Sequence, residues 1–436
     1  MENLLNNFEA VTSEDWKEKI KKDLKGITFE QLQRQDDNGI SIDPFYTEGI
    51  PDATAAFDHT DWEIVSEILV DDEVIANQQA LYALNSGASA IYFNINKEGI
   101  DWNLLLKGIE LNFIKTFIRY PLSISLNTSS LENYITHNNI NKDTVDNSID
   151  NIAAYFKTKN KATPFPLDLK ETNKIILIDN TIYFNAGTNS VTQLAMALAQ
   201  LQEYLHLLEK SNKISLIETI SIEIATGTSF FEEIAKIRAL RQIVALLNQQ
   251  YNLEIPLYII AKSGILQKAA YDEYNNLLRD TLSGMAAVLG GCNALCISSF
   301  DAANEKGNKE FSLRMAINQQ LIFKEESYLN SIADAGNGSY FIEQLTENLA
   351  QKAWSIFKEI EQEGGCLDAF DKGLLQQRIR TQASNLIEDY KSGKKLWIGI
   401  NKYPNPVNSP KPQIGSKPKN NELIEDLNLL EYFTFN

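Results

Sequence analysis

Short apolar runs rich in β-branched residues alternate with longer stretches in which apolar residues recur every three or four positions. The runs are ASAIYFNI (88–95), LSISL (122–126), KIILIDN (174–180), ISIEIAT (220–226), PLYIIAK (256–262) and NALCISS (293–299). Between them, Leu194, Leu198, Leu201, Leu205 and Leu208 share one helical face, as do Ile234, Ile237, Leu240, Val244 and Leu247. Leu278, Leu282, Met285 and Leu289 predict the inward face of a third helix, ended by Gly290-Gly291. Strand–helix alternation predicts a parallel sheet. Six clear strands and a weaker candidate, YLNSIAD (328–334), suit an α/β (β/α)8 TIM barrel. An open doubly wound sheet is the alternative. No G-x-G-x-x-G or P-loop follows any strand, so nucleotide fingerprints are absent.

Other stretches fall outside this alternation. SEDWKEKIKKDLKG predicts a capped helix with Trp16, Ile20 and Leu24 at helical spacing, stopped by Gly26. Residues 1–70 read as an N-terminal arm, 71–403 as the barrel, and 404–436 as a Pro/Lys-rich linker with a C-terminal tail. The tail end, LIEDLNLLEYFTFN, is apolar and acidic and is expected to dock. Residues 127–172 are polar and Asn-rich where one barrel unit should lie. They form either a short, eroded unit or a long loop.

Composition narrows the function classes. With 40 Lys and Arg against 58 Asp and Glu, the net charge is −18 and no basic block appears, which argues against nucleic acid. No apolar run reaches membrane-spanning length, and the N-terminus has no signal-peptide pattern. Three cysteines (Cys292, Cys296, Cys366) offer no disulfide framework. A reduced, cytoplasmic protein is expected. Cys292 and Cys296 read as core residues, too few for a metal site.

Several ordered motifs resemble the methylmalonyl-CoA mutase family, the adenosylcobalamin-dependent acyl-CoA mutases. WKEKIKKDLKG and GISIDPFY are similar to its entry arm, and NAGTNSVTQLAMALAQLQEYL to its E-A-G-A-T-x-V-Q-E-L-A helix. SFFEEIAKIRALR, EYNNLLRDTLSGMAAVLGGCNAL, RMAINQQLIFKEES, NGSYFIEQLTENLAQKAW and GINKY follow in order, so the likeness spans roughly residues 14–403. It implies a (β/α)8 barrel through which, in catalytic members, coenzyme A threads.

At the positions matching the family's site, the resemblance implies losses. The histidine of S-G-Y-H-M-Q-E-A-G, which bonds the thioester carbonyl, falls at Ile182, which cannot donate. The substrate arginine of A-P-R-L-S-F-F falls at about Thr219, with Ser221 keeping the neighbouring serine. The cofactor-side histidine and glutamine of R-T-H-x-Q-T-S-G fall at Ile259 and Ala261. The glutamate of N-A-L-D-E-A falls at Ala302. Residues 47–81 hold no Tyr or Arg for the family's tyrosine wedge, and residues 120–237 hold no Arg for its carboxylate clamp. The C-terminal cobalamin module, with its D-x-H-x-x-G, has no counterpart; Asp58-His59 is adjacent, not spaced. No catalytic, cofactor or metal residue is expected intact.

The resemblance and its losses together imply a non-catalytic chain that stabilises a large cobalamin-binding mutase subunit. That partner carries adenosylcobalamin and isomerises methylmalonyl-CoA and succinyl-CoA. Trp16 and Phe45-Tyr46 favour an arm that packs on the partner. Glu223, inside a strand, is expected to point into the barrel and pair with Lys262 as a structural ion pair. An alternative is an enzyme repurposed for another acyl-CoA or small ligand through Glu223, Lys262 and Tyr183, which requires an open polar pocket. A third reading is a homodimeric structural or assembly protein.

Overall fold

Eight parallel strands carry the alternation around a barrel. In the computed structural model they are β1 (Glu63–Val70), β2 (Ala90–Ile95), β3 (Lys115–Arg119), β4 (Val145–Asp146), β5 (Ile175–Asp179), β6 (Thr219–Thr226), β7 (Leu257–Ser263) and β8 (Ala294–Cys296). The structure describes residues 11–47, 56–120, 129–159, 174–270, 272–302, 309–404 and 420–433. Hydrogen-bonded neighbours run β4-β3-β2-β1-β8-β7-β6-β5, the cyclic order of a (β/α)8 barrel with its seam between β4 and β5. The apolar residues facing outward, such as Ile91, Ile178, Ile222 and Ile259, share one core with Leu194, Leu198, Ile237 and Leu240 of the helices Ser190–Lys210 and Phe230–Gln250. Alternate residues pointing inward, including Val65, Tyr92, Phe117, Ile260 and Cys296, form a separate interior cluster.

Four features differ from the pattern reading. Strand β1 lies within the stretch assigned to the arm, because Glu63 and Glu67 interrupt its apolar run. Their carboxylates are partnered, Glu63 by Ser89 and Glu67 by Lys262. Strand β3 has a charge at each end, Lys115 and Arg119, which hides it; LSISL (122–126) lies outside the described residues. YLNSIAD contributes a 3-10 turn, Leu329–Ser331, and no strand. On the helix Tyr274–Leu289, Leu278 and Leu282 are exposed (64% and 45%), while Asn276, Asp280, Ser283 and Gly284 are buried. The inward face is small and polar because Asp280 answers Lys268, and because Gly284 lets Ile297 and Phe323 approach.

The Asn-rich stretch supplies the eroded unit: the two-residue β4 and the helix Asn151–Thr158. Side chains replace the missing ladder at the seam. Buried Asp150 caps that helix through the amides of Ile152 and Ala153. Its carboxylate also accepts from the Tyr204 hydroxyl (2.7 Å), Gln200 (3.1 Å) and the Asp179 amide at the end of β5 (2.7 Å). Burial lifts the Asp150 carboxyl to about 6 despite these donors.

The arm helix Ser13–Asp23 starts at a capping box, Thr12 with Asp15, and has no buried residue. A hairpin at residues 34–42 follows and anchors the arm. Its turn residue Asn38 reaches Glu232 and the amide of Val191, at the beginnings of two barrel helices.

Replacing Asp150 with Ala removes the cap and strands the Asp179 amide and Tyr204 hydroxyl. We expect a loss of about 3 kcal/mol in urea unfolding. Glu203 and Glu361 converge on Gly365 where the helices Ser190–Lys210 and Tyr340–Gln362 pack. Burial, then the Glu203 charge, raises the Glu361 carboxyl from 4.5 to about 7. A raised folded value favours the protonated native state. The stability this contributes is present below about pH 4.5 and is lost as pH rises through about 7. Urea midpoints of wild type and Glu361→Gln, compared from pH 4.5 to 8, should show a larger loss in the wild type, the remainder coming from other raised carboxyls such as Asp150.

Candidate functional site

The strand C-termini are where a barrel of this kind carries chemistry. Here one chain of polar side chains crosses the interior near that end. Glu223 of β6 accepts from Arg119 Nε (2.7 Å) and from the Tyr92 hydroxyl (2.9 Å). Arg119 of β3 also bonds Asp146 of β4 (2.8 Å). Lys262 of β7 pairs with Glu67 of β1 (2.8 Å) and lies 3.9 Å from the Tyr92 ring centroid. The Arg119 guanidinium sits 5.7 Å from the same ring, so Tyr92 lies between two cations. Six of the eight strands meet in this chain.

Burial works against the charges of Arg119, Lys262 and Asp146, and their partners reverse that. Arg119 is buried, yet Asp146 and then Glu223 raise its pKa. Lys262 is likewise raised by Glu67, then by Tyr92 and Glu223. Burial would raise Asp146, but the Arg119 charge holds it below the usual carboxylate value. Asp179, at the end of β5, is pushed up by burial and by the Glu223 charge. Arg119, Lys262 and Asp146 stay charged because partners of opposite charge hold them.

The expected pair of Glu223 with Lys262 is therefore corrected. Glu223 points inward, but its direct partners are Arg119 and Tyr92, while Lys262 takes Glu67. Arg119 lies one residue before the stretch counted as free of arginine. Tyr183 is not part of the cluster. It is fully buried in the layer shared with the helices, and its hydroxyl has no hydrogen-bond partner among the described residues.

The matched family positions are scattered. Ile182 is buried outside the strands, in the short helix Thr181–Asn185. Thr219 begins β6, at the opposite end of the barrel from the strand C-termini. Ser221 faces the interior, buried, with no partner for its hydroxyl among the described residues. Ile259 and Ala261 pack in the outer layer, while Tyr258, Ile260 and Lys262 line the interior. Ala302 is exposed in a turn after β8.

Phe184, which no sequence pattern singled out, occupies the mouth of β6 and β7. A Cβ built on Gly264 would lie 2.2 Å from its ring, and one on Gly227 3.2 Å. Phe184 packs with Ala225, Leu266, Trp397 and Leu429, joining the barrel to the C-terminal tail. Beside it, Lys268 bonds Asp280 and Ser298 at the ends of β7 and β8. Among the described residues, no group of three or more His, Cys, Asp or Glu is placed to hold a metal. Nor is any helix long and apolar enough to cross a membrane.

This is a (β/α)8 barrel whose interior charged side chains are engaged with one another. Residues 121–430 match the methylmalonyl-CoA mutase family, and the chain belongs to it. It is 27% identical to the methylmalonyl-CoA mutase small subunit of Porphyromonas gingivalis, over 93% of this chain and 71% of that protein. It is 31% identical to a probable small subunit of Mycobacterium tuberculosis, over 53% of this chain and 39% of that one. With the large subunit of Propionibacterium freudenreichii subsp. shermanii it shares 33%, over 50% of this chain and 31% of that one. The chain thus spans well under half the length of the last two.

Arg119→Met would leave Glu223 and Asp146 as buried, uncompensated carboxylates. We expect about 3–5 kcal/mol of destabilisation by urea unfolding. Adding Glu223→Gln and Asp146→Asn should restore part of it, a coupling that independent side chains would not show.

Proposed function

We propose that this chain is the small, non-catalytic subunit of a two-subunit methylmalonyl-CoA mutase, stabilising a large cobalamin-binding subunit that does the chemistry. The observation that carries the reading is the closed polar chain inside the barrel. A catalytic barrel keeps donors and cations free for substrate. Here Arg119, Tyr92 and Glu223 satisfy one another and Lys262 takes Glu67, and by motif resemblance Ile182 matches the family's thioester donor. The relatives named as small and large subunits support a complex.

The site does not suit adenosylcobalamin. Phe184, Trp397 and Leu429 pack over the ends of β6 and β7 and fill the mouth with apolar side chains. We assign the cofactor to the partner and derive no step through it here. The complex would work in the cytoplasm.

The arm is the surface we assign to the partner. On it Trp16 packs at a tilt against Phe45 (5.0 Å) and meets Phe29 edge-on (6.0 Å), while Phe45 stays 54% exposed. Aromatic side chains held half-open beside a helix with no buried residue suit an interface.

Co-expression with the large mutase chain of the same organism, read by light scattering and mutase assay, tests this. A one-to-one complex is expected. Its activity should stay within about twofold when Lys262→Met is introduced here, and Trp16→Ala with Phe45→Ala should weaken association about tenfold or more. Turnover of an acyl-CoA by this chain alone, abolished by Lys262→Met, would overturn the proposal and favour a repurposed enzyme. A stable homodimer indifferent to the large chain would favour an assembly protein.

A further inference from the structure

Residues 420–433 cross the C-terminal face of the barrel without joining its sheet. Their only regular structure is the single turn Leu429–Tyr432. Two backbone hydrogen bonds fix them: Ile424 donates to the Phe156 carbonyl (3.0 Å) and Leu427 to the Asn185 carbonyl (2.7 Å). Asn185 ends the short helix that carries Phe184. Leu427, Leu429, Leu430 and Phe433 then pack into the cluster of Phe184, Ala225, Leu266 and Trp397. The Leu427 side chain lies where a Cβ on Gly187 would stand, 2.8 Å away, at a residue with φ +87°. The Trp397 and Phe433 rings meet edge-on at 6.1 Å.

Charge complements this contact. The stretch carries Glu422, Glu425, Asp426 and Glu431 and no basic residue. The barrel side offers Lys157 to Asp426 (2.5 Å), Lys159 to Glu422 (2.9 Å), Arg380 to the Asn421 carbonyl (2.5 Å) and Lys391 over the Tyr432 ring (5.3 Å). A few backbone bonds, apolar anchors and an oppositely charged rim are how a groove binds a peptide.

We propose that residues 420–433 are a peptide ligand carried in cis. The groove between Phe184, Leu266, Trp397 and the helix Leu374–Lys391 recognises an acidic segment with apolar anchors spaced as Leu427, Leu429, Leu430 and Phe433. Bound there, the segment holds Phe184 against Gly227 and Gly264 and keeps the mouth of β6 and β7 shut. The proposal does not depend on the barrel's being silent.

The test uses the full chain with a protease site placed between residues 410 and 417. After cleavage, the tail should co-elute with the body at micromolar concentration. A labelled synthetic peptide of residues 420–436 should exchange with it, more weakly in high salt because the rim is ionic. Leu427→Glu with Leu429→Glu should cut affinity about tenfold or more. In the uncut chain, the same pair should speed hydrogen exchange at residues 184–187 and red-shift Trp397 emission. A tail that separates from the cut wild-type body, or binds equally well with both glutamates, overturns the proposal. A body that unfolds on cleavage also overturns it, because the segment is then core and not ligand. Unchanged exchange at 184–187 in the uncut double variant overturns its role in closing the mouth.

Discussion

The interior of this barrel depends on one bond, from Arg119 to Glu223. A charge moved from water into a protein interior costs several kcal/mol unless a partner stands close. Arg119 meets that requirement for two carboxylates at once, Glu223 at 2.7 Å and Asp146 at 2.8 Å. Glu223 in turn fixes Tyr92 through its hydroxyl, and Lys262 sits on the Tyr92 ring. The bond thus sets the rotamers of side chains from most of the strands. It also ties β6 to β3 and β4 across a seam that lacks a backbone ladder. With Asp150 holding the Asp179 amide, side chains close the seam among the described residues.

An interior organised this way has consequences at its mouth. Polar groups that satisfy one another need no ligand, so the space above them can be apolar. Phe184 takes it, and only glycine at 264 permits the approach, since any Cβ there would overlap the ring. The helix carrying Phe184 ends at Asn185, whose carbonyl receives the tail. Interior ion pairs, aromatic plug and C-terminal segment are therefore successive layers.

The outer layer of this fold was legible in the sequence because its residues obey one rule. Leu194 to Leu208 and Ile234 to Leu247 are buried as their spacing predicts, and five of the barrel strands fall on apolar runs. Legibility failed where polar residues are buried in pairs. Glu63 and Glu67 disguised β1, Arg119 and Lys115 disguised β3, and Asp280 with Lys268 turned a helix face opposite to its leucines. A period of apolar residues cannot report such positions, because the partner lies far along the chain: Arg119 and Glu223 are 104 residues apart. The inward orientation of Glu223 was readable from strand alternation, but its partner was not. Phe184 gave no signal at all, because its role comes from two distant glycines.

The interior bears on how a barrel can hold buried charges without a ligand. Deleting single binding groups would leave their neighbours buried and unpaired, each costing about 1–3 kcal/mol. A stable barrel with buried charges must therefore change in concert, so that each remaining charge finds another. The chain from Glu67 through Lys262, Tyr92, Glu223 and Arg119 to Asp146 has that completeness. A ligand would have to break ion pairs to enter it, and its binding would be opposed by the same interactions that hold the strands together. In such a barrel, the interactions that hold the strands together and those that oppose a ligand have one physical cause.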